Sequence, residues 1–334
     1  MGEDKIDFVV LWVDGSDPEW LKEKLYYQNN GKVDTNDIQN SINRYRDMGT
    51  LKYWFRGVEK FAPWVNNIYF VTCGHLPEFL NVNHPKLKIV NHKDFIEEKY
   101  LPTFNSSAIE MNILNIKELS ERFVYFNDDT FLIDKVSKKD FFENGLPKGY
   151  AILSPVIPTC SFEHNIINNI ILLNKHYDMK CVLKEQKKKF YSLKYGKDLI
   201  RTLFLQHWDY FCGFKESHLP HAFLKSSFDE CFRLYRDDFV NTWSHKFRDR
   251  DDITQWLVEY WQYINGKFEP TSTNIGKMIH LSNDNENAIK IIRRQKYKMI
   301  CVNDSKPDYD FSKAKKEIVE AFEHILPNKC SFEL

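Results

Sequence analysis

Eight residues near the start of the chain, 6–13 (IDFVVLWV), are almost all apolar and rich in β-branched side chains, and the run stops abruptly at Asp14-Gly15-Ser16-Asp17-Pro18. A strand so uniformly apolar is buried on both faces, as happens when helices cover both sides of a sheet, and the acidic Gly/Pro cluster behind it is turn chemistry. The pattern continues downstream. Residues 51–61 carry apolar side chains at helical spacing, and NIYFVT (67–72) and LKIV (87–90) read as strands punctuated by Gly74 and Pro85. Residues 107–119 read as a helix, and FVYF (123–126) as a strand ending in Asn127-Asp128-Asp129. Residues 1–149 therefore predict βαβ units around a mainly parallel sheet.

From about Gly149 the sequence turns toward helices, with candidates at 165–173, 184–197, 226–236 and 251–263. KMICV (298–302) reads as a last strand running into Asn303-Asp304, and 311–325 as a closing helix, so residues 150–334 are expected to complete the sheet and cover it. The lysine-rich KEQKKK (184–189), followed by Phe190-Tyr191, suits contact with an acidic polymer or a membrane surface, but the favoured reading is a solvated helix face.

Composition excludes several classes. In 334 residues, 43% are hydrophobic and 15% aromatic, ample for a large core. Forty-seven Lys and Arg balance 47 Asp and Glu, so no overall field attracts nucleic acid, and none is expected as a partner. No apolar run approaches the ~18 residues of a membrane span. Two acids also precede the first strand where a signal peptide needs bases, which predicts a cytoplasmic protein. Seven scattered cysteines without a C-x-x-C pair read as reduced thiols. The absence of G-x-x-x-x-G-K-[ST], G-x-G-x-x-G and G-x-S-x-G argues against Walker ATPases, typical dinucleotide dehydrogenases and elbow hydrolases.

In an open parallel sheet, ligands gather at the carboxyl ends of strands, and here three predicted strands end in acids: Asp14 and Asp17, Asp128 and Asp129, and Asp304. Asp-Gly and Asn-Asp-Asp are also ordinary turn and capping sequences. Convergent carboxylates repel unless a cation sits among them, and a hard divalent metal holding a diphosphate resolves the conflict. Arg44-Tyr45-Arg46-Asp47 sets two guanidinium groups beside an acid, suited to phosphate or to a surface salt bridge. His218-Leu219-Pro220-His221 and His245-Lys246-Phe247-Arg248 add proton carriers and a charge-neutralising arginine. Cys212, His218 and His221 mimic half of a zinc site, but no metal-spaced partner follows.

Taken in order, these segments resemble the Stealth family of sugar-phosphate transferases, which includes bacterial capsule polymerases and the lysosomal-enzyme N-acetylglucosamine-1-phosphotransferase. IDFVVLWVDGSDPEW resembles the first block of that family. The stretch from RYRDMGTLKYWF through NHKDF, with YLPTFNSSAIEMNI and FVYFNDDTFL, resembles the second; HLPHAF and SHKFRDRDDI resemble the third, and KMICVNDS the fourth. Cys73 departs from the family, which more often has Asp or Asn before the glycine.

The resemblance implies a Rossmann-like, GT-A-like fold that transfers a sugar 1-phosphate from a UDP-sugar to a hydroxyl of an acceptor glycan, leaving UMP. It implies Mg²⁺ or Mn²⁺ at Asp128 and Asp129, with Asp47, His221 and Arg248 as catalytic residues. It places Asp14, Gly15, Asp17, Arg44, Arg46, Asn105 and Asn127 around the nucleotide sugar. A bacterial enzyme of capsule or cell-surface polysaccharide synthesis is expected, acting on a glycan or lipid-linked oligosaccharide and associating peripherally with the inner face of the membrane. Asp47 and His221 both stand as candidates for the base.

Overall fold

The burial on both faces read into the first apolar run is present in the computed structural model. Strand β1 (Ile6–Leu11) has five buried residues followed by a half-buried Leu11. The structure describes residues 5–31, 45–159, 161–304 and 308–334. Helix α1 (Pro18–Gly31) starts where Asp17 Oδ1 accepts the Trp20 amide at 2.7 Å, with proline at the first helical position, where its missing N–H costs nothing. Helix α2 (Leu51–Phe61) follows, then strands β2 (Ile68–Thr72) and β3 (Leu87–Asn91). The short helix α3 (Ser106–Met111) precedes strands β4 (Arg122–Phe126) and β5 (Thr130–Leu132).

The second half supplies α4 (Ser161–His176), strand β6 (His221–Leu224), α5 (Trp256–Ile264), strands β7 (Gly276–His280) and β8 (Met299–Asn303), and α6 (Phe311–Ile325). The main sheet runs β3-β2-β1-β4-β6: the first four strands are parallel, and β6 joins β4 antiparallel. A second sheet, β7-β8-β5, pairs β7 parallel and β5 antiparallel with β8. The fold is thus α/β with a mainly parallel central sheet.

Side-chain alternation explains the layers. Phe8, Val10, Phe70, Val124 and Phe126 point into one core with α2 and α6, while Val9, Tyr69, Val71, Phe123 and Tyr125 point into another with α4 and α5. Each fully buried aromatic contributes about 1.5–3 kcal/mol over its exposed state. Asp7, the polar residue inside β1, is fully buried, and its carboxylate accepts from the Asn66 side chain at 2.7 Å, the Asn67 amide at 3.0 Å and the Ser120 amide at 2.8 Å. That carboxylate locks the amino ends of the strands and leaves their carboxyl ends for a site. Because β2 lies on one side of β1 and β4 on the other, the strand order reverses beside β1, and such a reversal opens a crevice at the carboxyl ends.

Three helices differ from the sequence expectation, of which the one expected over 251–263 begins only at Trp256. The one expected over 107–119 ends at Met111 and passes into a 3₁₀ turn, Ile113–Asn115, because the Asn112 side chain bonds back to the Ala108 carbonyl at 2.8 Å. The one expected over 184–197 is broken into Met179–Glu185, Lys187–Phe190 and the 3₁₀ segment Leu193–Asp198, in which Gly196 turns at φ +55°. No helix among the described residues is long and apolar enough to cross a membrane.

Candidate active site

The crevice at the strand-order reversal is a cavity of about 650 Å³, its floor made by the ends of β1, β4 and β8. At the end of β4 a tight turn carries the chain into the second sheet, the Thr130 amide and hydroxyl both donating to the Asn127 carbonyl at 3.1 and 2.7 Å. Asp128 and Asp129 occupy the middle of that turn. The Val302 amide donates to the Asp129 carbonyl at 2.8 Å, which brings Asn303 and Asp304, just past β8, to the same floor.

Several oxygens there lack their usual partners. Asp129 Oδ2 accepts from the Cys301 thiol at 3.3 Å and lies 3.9 Å from His218 Nε2, but the buried Asp129 Oδ1 has no hydrogen-bond partner among the described residues. Neither has the buried Asn303 Oδ1. Asp128 is exposed at the cavity surface. The protein packed around it, then the charges of Asp129 and Asp47, pushes its carboxyl up to about 7. Ligand atoms of Asp129, His218 and Cys301 lie within 4.8 Å of one another. Burial, with Asp129 alongside, holds the Cys301 thiol well above its ordinary range, so it serves as a donor to Asp129. Two carboxylates and an unpartnered amide oxygen suit a hard divalent cation.

Guanidinium groups stand on the walls. Arg46 grips Asp304 through two nitrogens, Nη2 at 2.8 Å and Nε at 3.1 Å, and lies 4.1 Å over the Phe311 ring. Arg248 Nη2 donates to Ser106 Oγ at 2.7 Å, at the start of α3. Its loop is fixed by the buried Asp252, which accepts from His245 Nδ1 at 2.8 Å, the Asp249 amide at 2.9 Å and Asn105 Nδ2 at 2.8 Å.

Of the residues singled out in the sequence, Arg46, Asp47, Asn127, Asp128, Asp129 and Arg248 line the cavity. Arg44 lies outside the described residues. Asp14, Gly15, Asp17, Asn105 and His221 are not on the cavity wall, for identifiable reasons. Asp14 closes a turn by accepting from the Ser16 amide and hydroxyl, and Asp17 caps α1. Gly15 packs so closely on the Tyr45 backbone that a Cβ would fall 1.8 Å from its carbonyl oxygen. Asn105 caps α3 by accepting the Ser107 amide, and its other end is taken by Asp252.

His221 opens β6 and is buried behind the wall, its Nδ1 3.3 Å from Glu259 Oε1. Burial disfavours its charge, but Glu259, with Glu216 and Glu110 beyond, outweighs this and raises its pKa. Of this pair it is His218, three residues earlier and at φ +46°, that lines the cavity, as His92 and His280 also do.

Two further residues were not singled out in the sequence. Glu110 lines the cavity although nearly all of its surface is covered, and burial pushes it up to about 7 despite the Tyr125 hydroxyl, which donates to it at 2.9 Å, and the nearby Arg248. Asn303 is the other; its signal was its place between a predicted strand and Asp304.

A strand-end cavity that sets carboxylates opposite arginines defines a class built to handle phosphorylated ligands. Residues 4–32 match the model of Stealth protein conserved region 1, and residues 44–148 that of conserved region 2. The chain belongs to the Stealth family and is an enzyme of the phosphotransferase kind. It is 46% identical to a capsular polysaccharide phosphotransferase WcwK of Streptococcus pneumoniae, over 99% of this chain and 98% of that protein. With the exopolysaccharide phosphotransferase cps2G of Lactiplantibacillus plantarum it shares 40% identity, over 98% of this chain and 96% of that protein. Among solved structures, the galactosyltransferase LgtC is similar at a TM-score of 0.40 and 11% identity, covering 97% of this chain and 98% of that one.

Proposed function

We propose that this cavity transfers a sugar 1-phosphate from a UDP-sugar to a hydroxyl of a glycan or lipid-linked acceptor, releasing UMP, in the synthesis of a bacterial capsular or exopolysaccharide. The observation that carries the reading is the floor of the cavity, where Asp129 and Asn303 leave buried oxygens without partners among the described residues beside the carboxylate of Asp128, in a cavity that Arg46 and Arg248 also line. The names of the relatives supply the polysaccharide.

Asp128, Asp129 and Asn303 would hold Mg²⁺ or Mn²⁺, which neutralises charge on a diphosphate when bound. Arg248 steadies the oxygens of the phosphorus under attack, where charge is spread in a loose transition state. Arg46, pinned by Asp304 and Phe311, holds the adjoining phosphate in a fixed orientation. Asp47, on the cavity wall, takes the proton of the acceptor hydroxyl, and His221 acts through the residues it supports. One of these is Trp256 of the wall, whose ring centroid is 5.9 Å from that of His221. Phosphoryl transfer needs mainly such positioning and electrostatics, with no covalent nucleophile.

The test is to incubate the protein with UDP-sugars, an acceptor glycan and Mg²⁺ or Mn²⁺, and to identify the nucleotide released. UMP that disappears with EDTA is the expected result. UDP would mean that the glycosidic bond breaks instead, and would overturn the proposal in favour of glycosyl transfer.

A further inference from the structure

Helix Leu199–Leu205 has the sequence LIRTLFL, yet Thr202 is the one buried residue in it, its hydroxyl accepting the Leu153 amide at 3.1 Å. Phe204 is 72% exposed, Leu193 87%, Tyr210 68% and Trp208 52%. Six of the fourteen large hydrophobic side chains exposed among the described residues fall within residues 193–210. Apolar side chains scattered singly need no explanation, but a concentration in one short stretch marks a surface that meets something.

The charge beside this patch is just as uneven. Residues 184–201 hold seven Lys and Arg against two Asp and Glu, in a chain whose formal net charge is zero. Lys187, Lys188 and Lys197 are exposed, and the Tyr191 hydroxyl donates to Gln206 at 2.9 Å, which ties the lysine-rich turn to the apolar helix. Lysines around exposed Phe, Trp and Leu match an anionic interface, in which rings enter the headgroup region and ammonium groups meet lipid phosphates. A second copy seated on the same face by two-fold symmetry would bring the lysine rim against itself.

The patch also adjoins the site. A groove of about 290 Å³ is lined by Arg201, from the apolar helix, and by Phe162, Glu163 and Glu216, which also line the main cavity. We propose that the face formed by residues 187–210 seats on an anionic phospholipid bilayer. The groove beside it then leads from that bilayer into the cavity. Docking stands without the reading of the activity, and only the use of the groove by a lipid-borne acceptor rests on it.

Co-sedimentation of the whole chain with vesicles tests the docking without turnover. Vesicles of phosphatidylglycerol mixed with phosphatidylcholine should pull the protein down, and rising salt should release it. A Phe204→Ser/Trp208→Ser variant and a Lys187→Glu/Lys188→Glu/Lys197→Glu variant should each bind at least about tenfold more weakly, given about fivefold per lysine at such a surface. Their melting temperatures should stay near the parent's, since these side chains are exposed. Failure of the parent to bind, equal binding to pure phosphatidylcholine, or undiminished binding by both well-folded variants would overturn the proposal. A concentration-dependent dimer abolished by Phe204→Ser/Trp208→Ser, without vesicle binding, would overturn it in favour of a second copy.

Discussion

The cavity floor and the layer behind it both concentrate ionisable groups, but they are assembled in opposite ways. On the floor, Asp128 sits among like charges, Asp129 and Asp47, and nearby oxygens lack partners. Behind it, His221 and Glu259 face each other at 3.3 Å and the Tyr263 hydroxyl donates to Glu259 at 2.6 Å. The histidine holds Glu259 below its ordinary pKa in spite of burial. A set of charges that is unsatisfied within the protein is waiting for a ligand, whereas a set that satisfies itself holds structure. Substitutions on the floor and walls should therefore cost turnover, and substitutions behind should cost stability.

The largest effect is expected at Arg248. Arg248→Ala should lower kcat about 10³-fold or more, as loss of an arginine on a transferring phosphoryl group does, while Arg248→Lys recovers part of it. Steady-state kinetics beside a thermal melt separates this from a looser loop, because an unchanged kcat in a well-folded variant would remove Arg248 from the chemistry. Asp47→Asn comes next, with turnover down about 10²- to 10⁴-fold and the melt unchanged. Near-parent turnover at saturating acceptor would show that the base lies elsewhere.

His221→Ala should behave in the opposite sense. It leaves Glu259 buried without its partner, at a cost of about 3–5 kcal/mol in denaturant unfolding, with a smaller loss of kcat per folded molecule. A His221→Phe/Glu259→Leu double variant should regain most of that stability. If His221→Ala instead melted like the parent and lost turnover, the comparison would break and His221 would join the chemistry.

The smallest effect is in pH. Glu110 and Glu216 are both pushed up to about 7 by burial, so between about pH 4.5 and 7 the native state keeps protons that the unfolded chain has released. Stability should fall as pH rises through that window. Glu110→Gln, which keeps an acceptor for Tyr125, should flatten the fall by roughly 1–3 kcal/mol in melts followed from pH 4.5 to 7.5. A fall of unchanged steepness would mean that Glu110 is already ionised in the native state.

Much of this arrangement is legible in the chain. IDFVVL, IYFVT and RFVYF are strands because both of their faces are apolar, and residues 311–325 form the expected helix because one stripe of it, Ala314, Ile318, Ala321, Phe322 and Ile325, is buried. Asn127-Asp128-Asp129 was visible at a strand end, and a strand end of a parallel sheet is where a site forms. HAFL (221–224) was not legible as a strand. Four residues carry no period, and they are extended because β4 offers an unpaired edge to them.

Local pattern alone therefore determined the doubly buried strands of the central sheet, their order of appearance and the acids that end them, since each depends on neighbours a few residues away, whereas 221–224 and 276–280 needed a partner strand. Tertiary structure decided which of those polar groups face the cavity. His218 and His221 are alike in sequence. Pairing with β4 turns His221 inward to Glu259, while a left-handed backbone at His218 delivers its ring to Asp129. Asp14 and Asp128 both follow buried strands, yet Asp14 is consumed by its own turn and Asp128 is driven against Asp129 and Asp47, residues distant in the chain or set by the second sheet. A side chain's partners across the fold, absent from its local sequence, determine whether it is spent on structure or left for a ligand.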